Sequence, residues 1–122
     1  MKASELRIGN LVRRVKTGEI MTVLAVDIST INQGGLAVEG IPLTEERLLK
    51  LGYFYTNENG QKSYWHGELP YFQLRNNGDS WSLWYEEQGD IEVLISKEDI
   101  NFVHTLQNIF FALTGEELTI NR

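Results

Sequence analysis

The stretch that decides the fold is SKEDINFVHTLQNIFFALT, residues 96–114, close to the end of the chain. At roughly 100° per residue, its large apolar side chains fall within one arc of about 120°, which is typical of a helix laid on a core. These side chains are Phe102, Val103, Leu106, Ile109, Phe110 and Leu113. The sequence therefore predicts a long C-terminal helix over 96–114 whose main face packs on a sheet.

Two further strips run along this predicted helix. The first has i, i+4, i+7, i+11 spacing and contains Ile100, His104, Gln107 and Phe111. The second is small and polar, and contains Asn101, Thr105, Asn108 and Ala112. We expect the first of these strips to be covered by another layer or by a partner, and the second to face solvent.

The ends of the predicted helix also carry signals. Ser96 with Asp99 has the form of a capping box, and Ile95 with Ile100 has the form of a hydrophobic staple. Gly115 supplies a left-handed stop. We therefore expect the helix to begin next to Ser96 and to end at Gly115.

Length and composition restrict the class of protein. A chain of 122 residues can bury one core of ordinary size, and the absence of cysteine excludes disulfides and thiolate sites. The N-terminal twenty residues hold no apolar run, and no window approaches the roughly 18 apolar residues of a membrane span. We expect a soluble cytoplasmic protein that contacts no membrane.

The net charge of −6 is unevenly distributed along the chain. Residues 1–50 carry seven basic and six acidic groups, whereas residues 51–122 carry four and eleven. Nucleic-acid binding relies on a basic surface that neutralises phosphates. The charge distribution therefore argues against general nucleic-acid binding, although a small positive patch in the first part stays open.

The first 43 residues predict a small β-sheet. Alternating residues at 11–15 and a β-branched run at 20–26 indicate two strands, and the turn NQGG at 32–35 precedes a third strand at 36–39. Short strands so closely spaced favour an SH3-like antiparallel sheet. A short helix, 44–52, follows it, with Thr44 as its cap, and is predicted to join this sheet to the next one.

From Tyr53 the composition changes to aromatic strands separated by Asn/Gly turns, which predicts an antiparallel meander. We expect this meander to pack on the long C-terminal helix, so that 53–122 forms a second subdomain. The predicted fold is α+β: a single domain over 1–122, with subdomains 1–43 and 53–122 joined by helix 44–52.

Three segments resemble a family of small uncharacterised proteins found in gut bacteria and in their phages and mobile elements. They are KASELRIGNLV at 2–12, GIPLTEERLLKLGY at 40–53 and VHTLQNIFFALTGEEL at 103–118. In the third segment, Phe102 just before it and Thr105, Ile109 and Phe110 within it depart from the family's usual residues. The resemblance implies no activity, cofactor or catalytic residue, and it favours an accessory role in a phage or mobile element.

Aromatic residues of the meander are the most informative candidates for a binding surface. In the strand around residue 83, Trp81, Leu83 and Tyr85 alternate with Ser80, Ser82 and Trp84. We expect Trp81 to be buried and Trp84 to be at least partly accessible. An exposed tryptophan on a strand often marks a partner surface, whereas a covering sheet or a bent strand would account for Trp84 without a partner. Trp65, next to His66, is the second such candidate.

The ordinary catalytic and metal-binding patterns are absent from the sequence. His104 and His66 are the only histidines, and neither belongs to a zinc-binding spacing. The acidic residues at 86–92 lack the alternation of a calcium loop and predict a solvated hairpin turn. With no nucleophile elbow or phosphate-binding glycine loop, we predict no enzyme activity, no catalytic residue, no metal and no cofactor.

The sequence thus predicts a non-enzymatic binding or assembly module that acts on a protein partner or on a second copy of itself. The partner-binding candidates are Trp65, Trp84, His104, Gln107 and Phe111. His104 is expected to be an ordinary interface histidine. The alternative is a weak nucleic-acid-associated accessory protein that uses Arg13, Arg14 and Lys16, although basic residues also discourage pairing at an edge strand. A small-molecule enzyme is a further alternative without a positive signal.

Overall fold

The computed structural model describes residues 5–58, 60–76, 81–87, 90–94 and 100–119. The protein is α+β, with two antiparallel sheets and a C-terminal helix, as the sequence predicts. In chain order its elements are β1 Leu11–Arg14, β2 Ile20–Thr22, α1 Ala25–Asn32, β3 Val38–Gly40, α2 Glu45–Lys50, β4 Phe54–Glu58, β5 Gln61–His66, β6 Leu69–Asn76, β7 Trp81–Glu87, β8 Asp90–Leu94 and α3 Val103–Thr114.

The chain divides into two compact units. The first unit is Met1–Pro42 with Phe102–Glu117, and the second is Leu43–Asn101 with Leu118–Arg122. The C-terminal helix therefore belongs to the same unit as the N-terminal sheet. This grouping differs from the prediction, which places the helix in one subdomain with the meander.

The sheet of the first unit has the strand order β2-β1-β3, with both pairs antiparallel. Its core contains Val12, Val23, Ile31 and Val38, against which Leu6, Met21, Ile28 and Leu36 pack. Helix α1 supplies Ile28 and Ile31, so it covers one face of this sheet. The SH3-like character of this sheet stays a prediction.

Of the strand predicted at 20–26, only Ile20–Thr22 forms a strand, and helix α1 begins at Ala25, so that prediction is wrong after residue 22. The side chain of Asp27 accepts a hydrogen bond from the backbone N–H of Leu24 at 2.9 Å, which satisfies one of the N–H groups left open at a helix start. At the other end, Gly34 has φ of 78° and Gly35 N donates to the Thr30 carbonyl at 2.9 Å. The NQGG segment is thus the end of a helix.

Helix α3 is shorter than predicted. It begins at Val103, after Phe102 in an extended conformation with φ of −128° and ψ of 149°. Residues 100–102 are not helical, since Ile100 N donates to the Trp81 carbonyl at 3.0 Å and Phe102 forms a bridge with Pro42. The predicted cap at Ser96 to Asp99 and the preceding Ile95 lie outside the described residues. The predicted end is confirmed, because Gly115 closes the helix with φ of 76°.

The second unit contains α2 and a five-stranded sheet with the order β4-β5-β6-β7-β8, which confirms the meander. The cap of α2 is also confirmed, because the Thr44 side chain accepts a hydrogen bond from Arg47 N at 3.2 Å. Leu48 and Leu51 are buried, whereas Leu49 is 45% exposed. Across the described parts of the chain, no helix is long and apolar enough to cross a membrane.

Candidate functional site

Strand pairing aligns large side chains across the five-stranded sheet. Phe54 pairs with Trp65, Trp65 with Gln73, and Gln73 with Trp84. Directly paired residues project from the same face of a sheet. Phe54, Trp65, Gln73 and Trp84 therefore form one row across β4 to β7, which we call the aromatic row.

The opposite face of the same sheet is its core face. The neighbouring rung contains Tyr64, Leu74 and Leu83, which are all buried. Trp81 lies on this face too, and its indole Nε1 donates to the Leu43 carbonyl at 2.9 Å, just before α2. Trp81 is 5% exposed and Trp84 is half-buried, which confirms the predicted alternation.

A carboxylate of α2 is tied to the same core face. Glu45 Oε1 accepts hydrogen bonds from Tyr64 Oη at 2.9 Å and from Lys62 Nζ at 3.0 Å. Burial, reinforced by Glu45, raises the pKa of Tyr64 to about 12. These contacts fix α2 on this face, so the aromatic row lies on the face away from α2.

Within the row, the two indole groups are held by hydroxyl groups of the sheet. Trp84 Nε1 donates to Ser82 Oγ at 2.8 Å, and Trp65 Nε1 donates to Thr56 Oγ1 at 3.1 Å. Both tryptophans are half-buried, and Phe54 at the end of the row is 53% exposed. The row thus presents aromatic surface without an unsatisfied indole N–H.

A chain of polar side chains fixes the centre of the row. Gln73 is 1% exposed, and its amide donates to Glu86 Oε2 at 3.1 Å and accepts from Arg75 Nε at 3.0 Å. The Arg75 guanidinium lies over the Trp84 ring, 4.9 Å from its centroid. Trp84 is therefore bordered by a cation, so its surroundings are partly polar.

Phe54, Gln73 and Arg75 are absent from the candidates predicted by sequence. Alternation within one strand assigns residues to faces, but it does not say which residues of different strands stand side by side. The register of the meander supplies that information. In the sequence, these positions are marked only by an aromatic residue at the start of β4, Phe54, and by a polar residue in the middle of β6, Gln73.

Gln107 lies in the first unit and is fully buried. Its side-chain Oε1 accepts from Leu11 N at 2.7 Å, and its Nε2 lies 3.4 Å from the Gly9 carbonyl oxygen. The amide therefore satisfies backbone groups of the turn that leads into β1. This placement gives Gln107 a structural role within the first unit.

Asn108 was predicted on the solvent strip, and this prediction is wrong. Its Oδ1 accepts from Asn10 Nδ2 at 2.8 Å and from Arg7 Nε at 3.2 Å, and its Nδ2 donates to the Glu5 carbonyl at 3.2 Å. Arg7 also forms an ion pair with Glu117. Two of the three family-like segments, 2–12 and 103–118, are thus bound to each other by side chains.

Phe111 was expected to be covered, but it is 40% exposed. The Arg7 guanidinium lies over its ring, 4.2 Å from the centroid. Of the predicted main face, Val103, Leu106 and Phe110 are buried, whereas Phe102 and Leu113 are 41% and 45% exposed. Because Phe111 and Leu113 are exposed, the buried face of α3 is narrower than the sequence predicts.

His104 is buried, with 6% of its surface exposed. Its ring stacks on Phe102 with 5.7 Å between centroids and 17° between planes. The same imidazole lines a groove of about 380 Å³ along α3, together with Glu5, Thr105, Asn108, Ile109 and Ala112. Of the five predicted partner-binding residues, Trp65 and Trp84 belong to the second unit, whereas His104, Gln107 and Phe111 belong to the first.

Of the three basic candidates, Arg13 is paired with a carboxylate. Arg13 Nε lies 2.7 Å from Glu39 Oε1 in an ion pair between neighbouring strands, and Arg14 Nε lies 3.4 Å from Met21 Sδ. Lys16 is exposed in the turn after β1. Arg13 and Arg14 therefore make local contacts within the sheet.

His66 packs edge-on against Tyr53 at 5.2 Å, and its Nδ1 accepts from Glu68 N at 3.1 Å. Burial lowers the pKa of both His66 and His104, so both are neutral at pH 7. Among the described residues, no three His, Asp or Glu side chains are grouped as a metal site requires. The half-buried Glu86, from the acidic run predicted to be a solvated turn, bonds to Gln73.

Comparisons with known proteins add no family to this description. No family model, no curated protein and no solved structure matches the chain. The candidate functional surfaces are therefore defined by geometry alone: the aromatic row of the second unit and the groove along α3 of the first.

Proposed function

We propose that the protein is a non-enzymatic binding module and that the aromatic row is its surface for a protein partner. The observation that carries this proposal is the alignment of Phe54, Trp65 and Trp84 on the sheet face opposite the core. Tryptophan, other aromatic residues and arginine supply most of the binding energy in protein interfaces. The aromatic row contains two tryptophans and a phenylalanine, and Arg75 borders it.

The polar centre of the row supports a preformed surface. Hydrogen bonds from Arg75 and to Glu86 hold the buried Gln73 amide, and hydroxyl groups hold both indoles. Side chains that are already ordered lose less entropy when a partner binds. A second copy of the chain is also a protein partner, and the oligomeric state of the protein tests whether the aromatic row binds such a copy.

The finer expectations from the sequence form part of this proposal. They are an SH3-like N-terminal sheet, a cytoplasmic location and an accessory role in a phage or mobile element, the last supported by the family resemblance of three segments. The nucleic-acid alternative gains no support from Arg13, which is paired with Glu39. We therefore carry forward one function only.

Two adjacent residues of β4 provide the test. Phe54 is 53% exposed in the aromatic row, and Tyr55 is 46% exposed on the opposite face. Partners are captured from the native host on the immobilised protein, identified, purified and titrated against each variant. We expect Phe54→Ser to weaken binding by about tenfold or more, as expected for an aromatic residue central to an interface, and Tyr55→Ser to bind like the unaltered protein.

Sedimentation of the unaltered protein and of the same two variants, each at several concentrations, tests self-association. Thermal melts establish that both variants are folded. Equal binding by Phe54→Ser and Tyr55→Ser, with purified partner or between copies, would show that the aromatic row is not the partner surface.

A further inference from the structure

Strand β4 forms one edge of the five-stranded sheet. Within the described part of the chain, its residues Phe54–Glu58 pair with β5 on one side only, in a register without a shift. At an edge, the N–H and C=O groups of every second residue point away from the sheet and are available to another strand. Residues 54–57 are all exposed, so solvent reaches this edge.

The other edge strands have features that discourage pairing with another chain, such as shortness, irregular pairing and charged residues. In the first unit, β2 and β3 have three residues each. At the far edge of the meander, β8 contains Asp90 and Glu92, and the pairing of β7 with β8 has a register shift. Strand β4, FYTNE, has five residues, regular pairing, no proline and no basic residue. It is therefore the least protected of these edges.

We propose that β4 is a self-association edge, at which two copies of the chain join their sheets into one antiparallel sheet. A two-fold axis normal to the sheet relates the copies, since two-fold symmetry is the commonest symmetry of homodimers. Such an axis keeps each face of the sheet on its own side, so paired residues must belong to the same face. Only a register centred on a residue meets this condition, and the register centred on Thr56 pairs all five residues of β4.

This register gives each residue of β4 a definite counterpart. Thr56 stands opposite Thr56 of the second copy, which is a favourable cross-strand pair. Phe54 stands opposite Glu58 of the second copy, and Tyr55 stands opposite Asn57. The strand is thus compatible with its own copy, which is why a second copy of the chain is the occupant that we assign to this edge.

The charges at this edge are also compatible with a second copy. Glu58 is the only charged residue of β4, and the register places it opposite Phe54, so like charges are not directly opposed. Lys62 Nζ lies 4.6 Å from the centroid of the Tyr55 ring, but it is paired with Glu45 Oε1 at 3.0 Å. Two copies therefore meet at β4 without a direct contact between like charges.

Single cysteine variants test the register, because the chain itself contains no cysteine. Opposite Cα atoms of an antiparallel pair are about 4.5–5.5 Å apart, a distance that a disulfide spans. Each variant of the full chain is oxidised with glutathione disulfide, and disulfide-linked dimers are followed on non-reducing gels. We expect Thr56→Cys to dimerise at least about tenfold faster than Asn57→Cys, on the same strand, and than Asn32→Cys, at the exposed end of α1.

A lysine at the same position tests the association without a covalent link. Thr56→Lys places two positive charges opposite each other at the axis, so it should abolish the concentration-dependent rise in sedimentation coefficient, whereas Asn32→Lys should retain this rise. The amide spectrum of each variant verifies its fold. Equal dimerisation rates of Thr56→Cys and Asn32→Cys, a faster rate for Asn57→Cys, or unchanged sedimentation of Thr56→Lys overturns the proposal.

The proposal for β4 does not rest on the aromatic row. Its measurements use the purified chain alone, so failure to find another protein that binds the row leaves them unaffected. Equal self-association of Phe54→Ser and Tyr55→Ser counts against the row, but it is compatible with pairing at β4, because both variants keep the main chain of the strand.

Discussion

Replacement of Asn108 by alanine tests whether the N-terminal turn and α3 are joined by side chains. The sequence pattern assigns Asn108 to solvent, so it predicts a change in the free energy of unfolding of less than about 0.5 kcal/mol. The structure places its Oδ1 2.8 Å from the Nδ2 of Asn10, which is fully buried. The two residues are 98 positions apart in the chain.

The expected magnitude follows from what each substitution leaves behind. Asn108→Ala leaves the buried Asn10 Nδ2 without its acceptor, which costs about 1–3 kcal/mol. Arg7 keeps its ion pair with Glu117, so its lost bond to Asn108 adds little. Asn10→Ala also removes the acceptor of Arg7 N, which lies 2.6 Å from Asn10 Oδ1, and should cost about 2–3 kcal/mol.

Denaturant melts of the unaltered protein, the two single variants and the double variant measure the coupling. We expect the double variant to be less destabilised than the sum of the singles by about 1 kcal/mol, because both remove the same hydrogen bond. Asn32→Ala, at an exposed residue that ends α1, is the control and should change stability by less than about 0.5 kcal/mol. Additive single effects, or an Asn108→Ala effect as small as that of the control, would refute the link between turn and helix.

Three further predictions concern packing and pH. Gly40→Ala should destabilise by about 1–3 kcal/mol in the same melts, because its Cβ would lie 2.6 Å from Phe102 Cδ1, whereas Gly67→Ala, with nothing within 4 Å, should have little effect; equal effects would contradict the close packing. Phe110→Ala should cost about 3–5 kcal/mol and Phe111→Ala less than about 2 kcal/mol, since Phe110 is 2% and Phe111 40% exposed. Equally large effects of the two substitutions would instead support the sequence-based expectation that both side chains are covered. Burial lowers the pKa of His66 and His104 in the folded state, so the unfolded chain binds more protons than the folded chain as pH falls through about 6.5. The free energy of unfolding should therefore decrease between about pH 7 and 5. A variant with both histidines replaced by glutamine should lose much of this pH dependence in melts, and an unchanged pH dependence would contradict the role of the two histidines.

Much of the second unit could be predicted from sequence because its signals are local. Asn/Gly turns separate the strands of the meander, alternation puts Trp81 and Trp84 on opposite faces, and Thr44 caps α2 through a residue three positions away. The alignment of the aromatic row could not be predicted in this way. It depends on the register between strands, which the pattern of a single strand does not contain.

In the first unit, local pattern and structure disagree for identifiable reasons. The β-branched residues around Val26 favour a strand, but the Asp27 carboxylate bound to Leu24 N begins a helix there. Apolar spacing carries the predicted α3 back beyond Val103, yet Ile100 and Phe102 have extended backbone contacts, with Trp81 and Pro42 respectively. In each case a specific hydrogen-bond partner outweighs a periodicity that is only a weak preference.

Local sequence signals predicted the α+β class, the meander, the cap at Thr44 and the helix end at Gly115, because each depends on residues that are neighbours in the chain. The three-dimensional contacts were needed to show that Gln107 and Asn108 are bound to the turn before β1 and that Phe111 is left at the surface. A polar side chain is stable in a buried position when distant backbone or side-chain groups satisfy it, and a periodic pattern cannot show where those groups lie.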